Sequence, residues 1–197
     1  RKNPEFLEIR SVEDLDRCLK DHRIGIILYM EGLDCIGSDV RLLTALWELG
    51  VRGASLTWSR RNLLASGCCK ASECYEIRGG LSPEGFDVVR EMERLGMFVD
   101  VSHLNDDGFE NIRETAIRPF MATHSNSREV AFHYRNLTDT QMQILADQGG
   151  IAGLNGYVRL VSETAEEEYP DENGVYCLEK LCMHVEHMVE VMGPEHV

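Results

Sequence analysis

GLSPEGFDVVREMERLGMFVDVSH, residues 80–103, decides the fold. Its first part sets apolar residues at helical spacing between Ser82-Pro83 and Gly96. Serine is a good N-cap, proline is tolerated in the first turn where its missing N–H is not needed, and glycine takes the left-handed conformation that ends a helix. The MFVDVS that follows is a short apolar run of the kind that forms a buried strand, and it ends at His103. A helix therefore feeds a strand whose carboxyl end carries a side chain able to hold a metal.

The same arrangement recurs outward along the chain. IGIILYM (24–30) leads into Glu31 and PFMAT (119–123) into His124, while GASLTW (53–58) and GIAGLN (150–155) bring the strand-like runs to about five. IGIILYM, almost continuously apolar, reads as a strand buried on both faces of a parallel sheet. Helical periodicity occupies 39–49, 83–95, 106–116 and 138–147, the last capped by Thr138 or Asp139 and stopped by Gly149-Gly150. A further helix over 177–192 ends at Gly193-Pro194, and residues after the polar start at Arg1 are acidic and helix-like. Alternating strands and helices imply parallel strands with right-handed crossovers, hence an α/β fold, either an open doubly wound sheet or a closed barrel. An eight-stranded barrel typically takes about 250 residues, so a barrel chain of this size would be partial.

Composition removes several classes of function. The chain has 197 residues, 43% of them hydrophobic, and a formal net charge of −14. Nucleic-acid binding needs a basic surface to displace counterions, so no nucleic-acid partner is expected. No apolar run approaches the roughly 20 residues that span a bilayer, and no basic-then-apolar leader opens the sequence. Seven cysteines, an odd number without a paired CxxC rhythm, fit reduced thiols in a cytoplasmic protein. Cys68, Cys69 and Cys74 share one polar connection (59–80) and read as ordinary loop cysteines rather than a thiolate metal site. A second connection (159–174) carries Glu166-Glu167-Glu168, which reads as solvated surface. Residues 1–197 show no repeat and no linker, as expected of one domain.

In a parallel α/β fold the carboxyl ends of the strands face one crevice, so Glu31, His103 and His124 are expected to converge. Each alone is most simply a polar residue at a strand end; three together favour a metal site. One carboxylate and two imidazoles suit zinc, and a carboxylate can bridge two ions. Asp100 either points away along its strand or supports a histidine. His133 is a further candidate ligand. Arg135 offers a planar fork for a carboxylate, with a surface salt bridge as the plainer alternative. His184 and His187, one helical turn apart, read as helix-surface or packing residues.

At these residues the sequence resembles the membrane (renal) dipeptidase family of zinc peptidases. The blocks that carry the resemblance are MEG (30–32), GVRGASLTW (50–58), residues 80–103, THSNSR (123–128) and RNLTD (135–139). The resemblance implies a (β/α)8 TIM-like metallo-hydrolase barrel lacking here its first strand and its last strands. It implies two zinc ions, with Glu31 bridging both and His103 and His124 on the second, and Arg135 holding the free carboxylate of a dipeptide. The implied reaction is dipeptide hydrolysis by a water between the metals, often with a D-residue accepted at the C-terminal position, in a protein that commonly forms a homodimer. The family's His-x-Asp pair does not occur before Glu31, and its catalytic aspartate is expected beyond Val197, so the segment alone should have little activity. Trp58 stands where many members carry a histidine that steadies the tetrahedral intermediate, and an indole cannot accept a proton. The rival readings are another metal-dependent amidohydrolase of the same barrel class, or a non-catalytic homologue. The former commonly bridges its metals with a carboxylated lysine, and no lysine follows a strand run in place of Glu31.

Overall fold

The computed structural model describes residues 5–68, 79–163 and 175–197, with side chains of the last segment described from 178 onward. Cys69, Cys74 and the Glu166-Glu167-Glu168 run lie outside the described residues. The elements in chain order are β1 (Phe6–Glu8), α1 (Val12–Lys20), β2 (Ile24–Ile26), β3 (Leu28–Glu31), α2 (Arg41–Glu48), β4 (Val51–Ser55), α3 (Pro83–Leu95), β5 (Phe98–Asp100), α4 (Asp106–Thr115), α5 (Asp139–Asp147), α6 (Val158–Val161) and α7 (Val175–Met192). Helix α3 has the bounds its sequence predicts. Ser82 Oγ accepts the Gly85 N–H at 3.0 Å, Pro83 sits in the first turn, and Gly96 closes the helix at φ 76°. Helix α5 is opened by Thr138 in a reciprocal capping box with Gln141.

All strand pairing among the named strands is parallel: β1 with β2, β3 with β4, and β4 with β5. Single parallel bridges extend the order from Asp100 to Met121 and from Ala122 to Ala152. Within each pairing among the described residues, neighbours in space follow chain order, with no reversal of the kind a doubly wound sheet has. The register lines up Tyr29, Gly53 and Phe98 as one row across the arc, and Glu31, Ser55 and Asp100 as the next row on the same face. Gly53 is needed in the first row. A Cβ there would stand 2.1 Å from the Phe98 ring, which stacks with Tyr29 at 6.0 Å and 5° across the bare backbone. The other face is covered by helices, where Ala54 and Val99 pack with Leu43, Val88, Met92, Ile112, Met142 and Met188 in one buried core.

Three expectations change. Residues 24–30 are not one doubly buried strand: the run divides at Ile27 into β2 and β3, with a register irregularity between Leu28 and Tyr29. Ile24, Ile26, Ile27 and Leu28 are exposed, because an apolar run specifies extended backbone but not what covers it, and the described residues place no layer over them. Residues 119–123 and 150–155 pair through isolated bridges rather than as full strands. Pro119 has no N–H to give, and Gly150 and Gly153 lie so close to the neighbouring chain that a Cβ there would stand 2.1 and 2.3 Å from the Phe120 and Thr123 carbonyl oxygens. The connection at 159–174 begins inside α6, a single turn too short for a periodic signal, and β1 is likewise too short to read.

His184 proves fully buried. The Ser127 N–H donates to its Nδ1 at 3.1 Å, so the proton sits on Nε2, which donates to the Val161 carbonyl at 3.0 Å. One neutral imidazole thereby ties α7 to the loop after His124 and to α6. Burial, helped by His187 and Lys180, holds its pKa below the usual histidine value against the opposing pull of the Val161 carbonyl. A base with a lowered folded pKa contributes stability that is full above its unfolded pKa of about 6.5 and lost as pH falls below it. His184→Ala is expected to cost about 2–4 kcal/mol by leaving two buried backbone groups unpaired and to flatten the stability loss between pH 7 and 5. Denaturant midpoints of the full-length protein at several pH values measure both effects, and equal slopes in variant and wild type would exclude the role given to this imidazole.

Candidate metal centre

Each sequence-predicted donor stands where a strand run ends: Glu31 closes β3, His103 follows β5, and His124 follows 119–123. Their ligand atoms lie within 4.8 Å of one another, the one such group of three metal-competent side chains among the described residues. His103 Nε2 is 2.7 Å from Glu31 Oε1 and 2.9 Å from His124 Nε2, and His124 Nε2 is 3.1 Å from Glu31 Oε1. His103 is buried, His124 half-buried and Glu31 more open.

The hydrogen bonds behind the donors fix their protons. Asp100, wholly buried, accepts from Tyr29 Oη and Thr123 Oγ1 at 2.5 Å each, and from the backbone N–H of Ser102 at 2.8 Å and of Thr123 at 3.1 Å. Burial works to raise its pKa, but these donors prevail and hold it below the ordinary carboxylate value. Because the Thr123 hydroxyl gives its proton to Asp100, it accepts from His124 Nδ1–H at 2.7 Å. His124 therefore presents a bare Nε2 to the centre, the form that binds metal. At His103 the Arg135 Nε–H, which can only donate, lies 3.3 Å from Nδ1, and Ser59 Oγ lies at the same distance. That assigns a proton to His103 Nε2, between Glu31 and His124. Burial, then the Arg135 charge, lowers His103 to about 4 and lowers His124 as well, so both are neutral at pH 7.

These residues fit a metal ion. A single proton now holds together three donor atoms that would otherwise repel, and an ion with donor bonds of about 2.0–2.2 Å can take its place after the donors spread by a few tenths of an ångström. For His103 Nε2 to ligate, its proton would move to Nδ1, where Ser59 Oγ can accept it only once the Arg135 Nε–H turns away from that nitrogen.

Arg135 is buried beside this cluster. Its Nη1 donates to Ser125 Oγ at 2.7 Å, while Nη2 is buried with no hydrogen-bond partner among the described residues. Burial pulls the guanidinium down to about 10, which leaves it charged at neutral pH. It is no surface salt bridge, the plainer alternative from sequence. Trp58 is half-exposed, its ring 5.9 Å from that of His103. Both line a cavity of about 680 Å³ with Glu31, His103, His124 and His133. His133 is on this wall but outside the three-donor group. Sequence reading missed Thr123, Ser125 and Ser59. The one signal for Thr123 was its position directly before His124.

A cluster of this kind at the carboxyl ends of parallel strands defines a candidate metal-binding protein. The sequence profile of the membrane dipeptidase family, peptidase family M19, matches residues 1–197, and the chain belongs to that family. It is 30% identical over 95% of its length to a Klebsiella pneumoniae protein described as uncharacterized, in the pqqA 5′ region, of which it covers 68%. It is 29% identical to dipeptidase verJ of Clonostachys rogersoniana, with 95% of this chain and 45% of that protein aligned. A metallo peptidase from Rhodobacter sphaeroides, solved with a phosphinate mimic of the dipeptide L-Ala-D-Ala, superposes at a TM-score of 0.89 and 29% identity over 98% of this chain and 54% of its own. The chain thus spans about half to two-thirds of the length of such relatives. No helix among the described residues is long and apolar enough to cross a membrane.

Proposed function

We propose that the full-length protein is a zinc-dependent dipeptidase and that these residues supply about half of its (β/α)8 barrel, with Glu31, His103 and His124 as metal ligands. What carries the reading is the convergence of two neutral imidazole Nε2 atoms and a carboxylate oxygen beside a buried guanidinium with an unpartnered Nη2, all in one cavity. Bound among these donors, zinc would polarise a carbonyl and lower the pKa of water. The chain's own residues do the rest. Arg135 holds the substrate's free carboxylate through Nη2, fixing where the peptide bond lies. Ser125 and the pinned loop keep the guanidinium from turning. Asn136 Nδ2 donates to the carbonyls of Ala131 and Leu160, and Arg128 grips Asp106 at 2.8 and 2.9 Å, so the arm between His124 and α5 is preorganised. The ligand of the Rhodobacter relative favours a substrate with a D-residue at its C-terminus. Trp58 offers an indole face and one N–H to the substrate but no proton transfer.

The test is to assay the purified full-length protein on dipeptides ending in L- or D-residues, with zinc and with a chelator. Chelator-sensitive hydrolysis is expected; a folded, zinc-loaded protein that cleaves none of them would refute the reading. Thr123→Val, which removes the hydroxyl between Asp100 and His124, is expected to weaken zinc binding by roughly 10–100-fold in chelator competition while the fold persists. Unchanged affinity would show that the relay does not orient the ligand.

A further inference from the structure

His133 is a cavity-wall residue that the proposed chemistry leaves unused. The Arg135 backbone N–H donates to its Nδ1 at 3.0 Å. An amide N–H can only donate, so Nδ1 keeps its lone pair and the neutral ring carries its proton on Nε2. With that proton in place Nε2 cannot ligate a metal, which agrees with the position of His133 outside the three-donor group. Burial, then the neighbouring Arg135 and Arg128 charges, keeps the ring neutral by lowering its pKa. The cavity wall therefore holds a fixed, uncharged N–H donor, tied by a hydrogen bond to the very residue whose Nη2 lacks an acceptor. A buried cationic N–H without an acceptor among the described residues, with a second N–H donor on the same wall, suits an anion.

The geometry points to His133 as a second substrate-binding residue, whose Nε2–H binds the substrate's carboxylate together with Arg135. This rests on the dipeptidase reading and extends it. The arm from His124 to Arg135 then acts as one unit, with a guanidinium supplying charge and an imidazole supplying direction. A carboxylate held at both oxygens is fixed in rotation as well as position, which a single guanidinium nitrogen does not achieve.

The test uses two variants of the full-length, metal-loaded protein. His133→Asn keeps an acceptor for the Arg135 N–H but lacks a donor at the Nε2 position; His133→Gln reaches that position again. For a dipeptide, His133→Asn is expected to raise KM roughly tenfold or more with kcat changed less than about threefold, and His133→Gln to recover part of the loss. For the same dipeptide as its C-terminal amide, scored as substrate or competing inhibitor, wild type and His133→Asn should be equal. Equal KM on the free dipeptide, or the same shift on the amide, would overturn the inference. If wild type binds the dipeptide without cleaving it, the hydrolytic reading fails instead, and the same ratio of calorimetric dissociation constants between wild type and His133→Asn decides this one.

Discussion

Glu31→Ala and His124→Ala, each made in the full-length protein, are expected to lower bound zinc after dialysis and to reduce kcat/KM at least about a thousandfold. The expectation follows from the closeness of the three donors. Glu31 Oε1 sits within 2.7 and 3.1 Å of the two imidazoles, so removing it leaves two neutral nitrogens with no charge to balance a dication. Removing His124 instead strands the Asp100–Thr123 relay with nothing to orient. Thermal unfolding measured alongside elemental analysis separates the ligand role from a general loss of fold. Full zinc occupancy in both variants would sink the assignment, whatever the kinetics did.

Arg135→Ala is expected to lower kcat/KM for dipeptides on the order of a thousandfold, and Arg135→Lys to recover only a small part of it. The guanidinium is buried and still charged, and its Nη2 donor has no partner among the described residues. Truncating one member of a buried charge pair costs about 2–5 kcal/mol. Lysine restores a point charge but not the planar fork, and it loses either the Ser125 contact or the substrate. Zinc content should stay at the wild-type level, which distinguishes this variant from the ligand substitutions. Either variant keeping kcat/KM within threefold of wild type would show that the carboxylate is held elsewhere.

Much of the architecture was legible in the sequence. Helix α3 and strand β5 follow from Ser82, Pro83, Gly96 and the apolar run after it, because caps and periodicity act within a few residues. The carboxyl-end placement of Glu31, His103 and His124 was legible for the same reason: each follows an apolar run directly. The division of residues 24–30, the fading of 119–123 and 150–155 into single bridges, and the burial of His184 were not. Those depend on which surface meets which, and IGIILYM reads the same whether its side chains are covered or bare.

The sequence by itself determined the longer helices, the alternation of strand runs with them, the family, and which side chains follow those runs. Tertiary structure alone decided the protons. Asp100 reaches His124 through Thr123, Arg135 turns its Nε to His103, and the Arg135 backbone N–H leaves the His133 proton on Nε2. The Asp100–Thr123 and Arg135–His103 contacts join residues 23 and 32 apart, whereas the Thr123–His124 and Arg135–His133 contacts are local and are set by how the chain turns there. Which nitrogen of an imidazole is bare is a property of its neighbours, and no local pattern of residues encodes it.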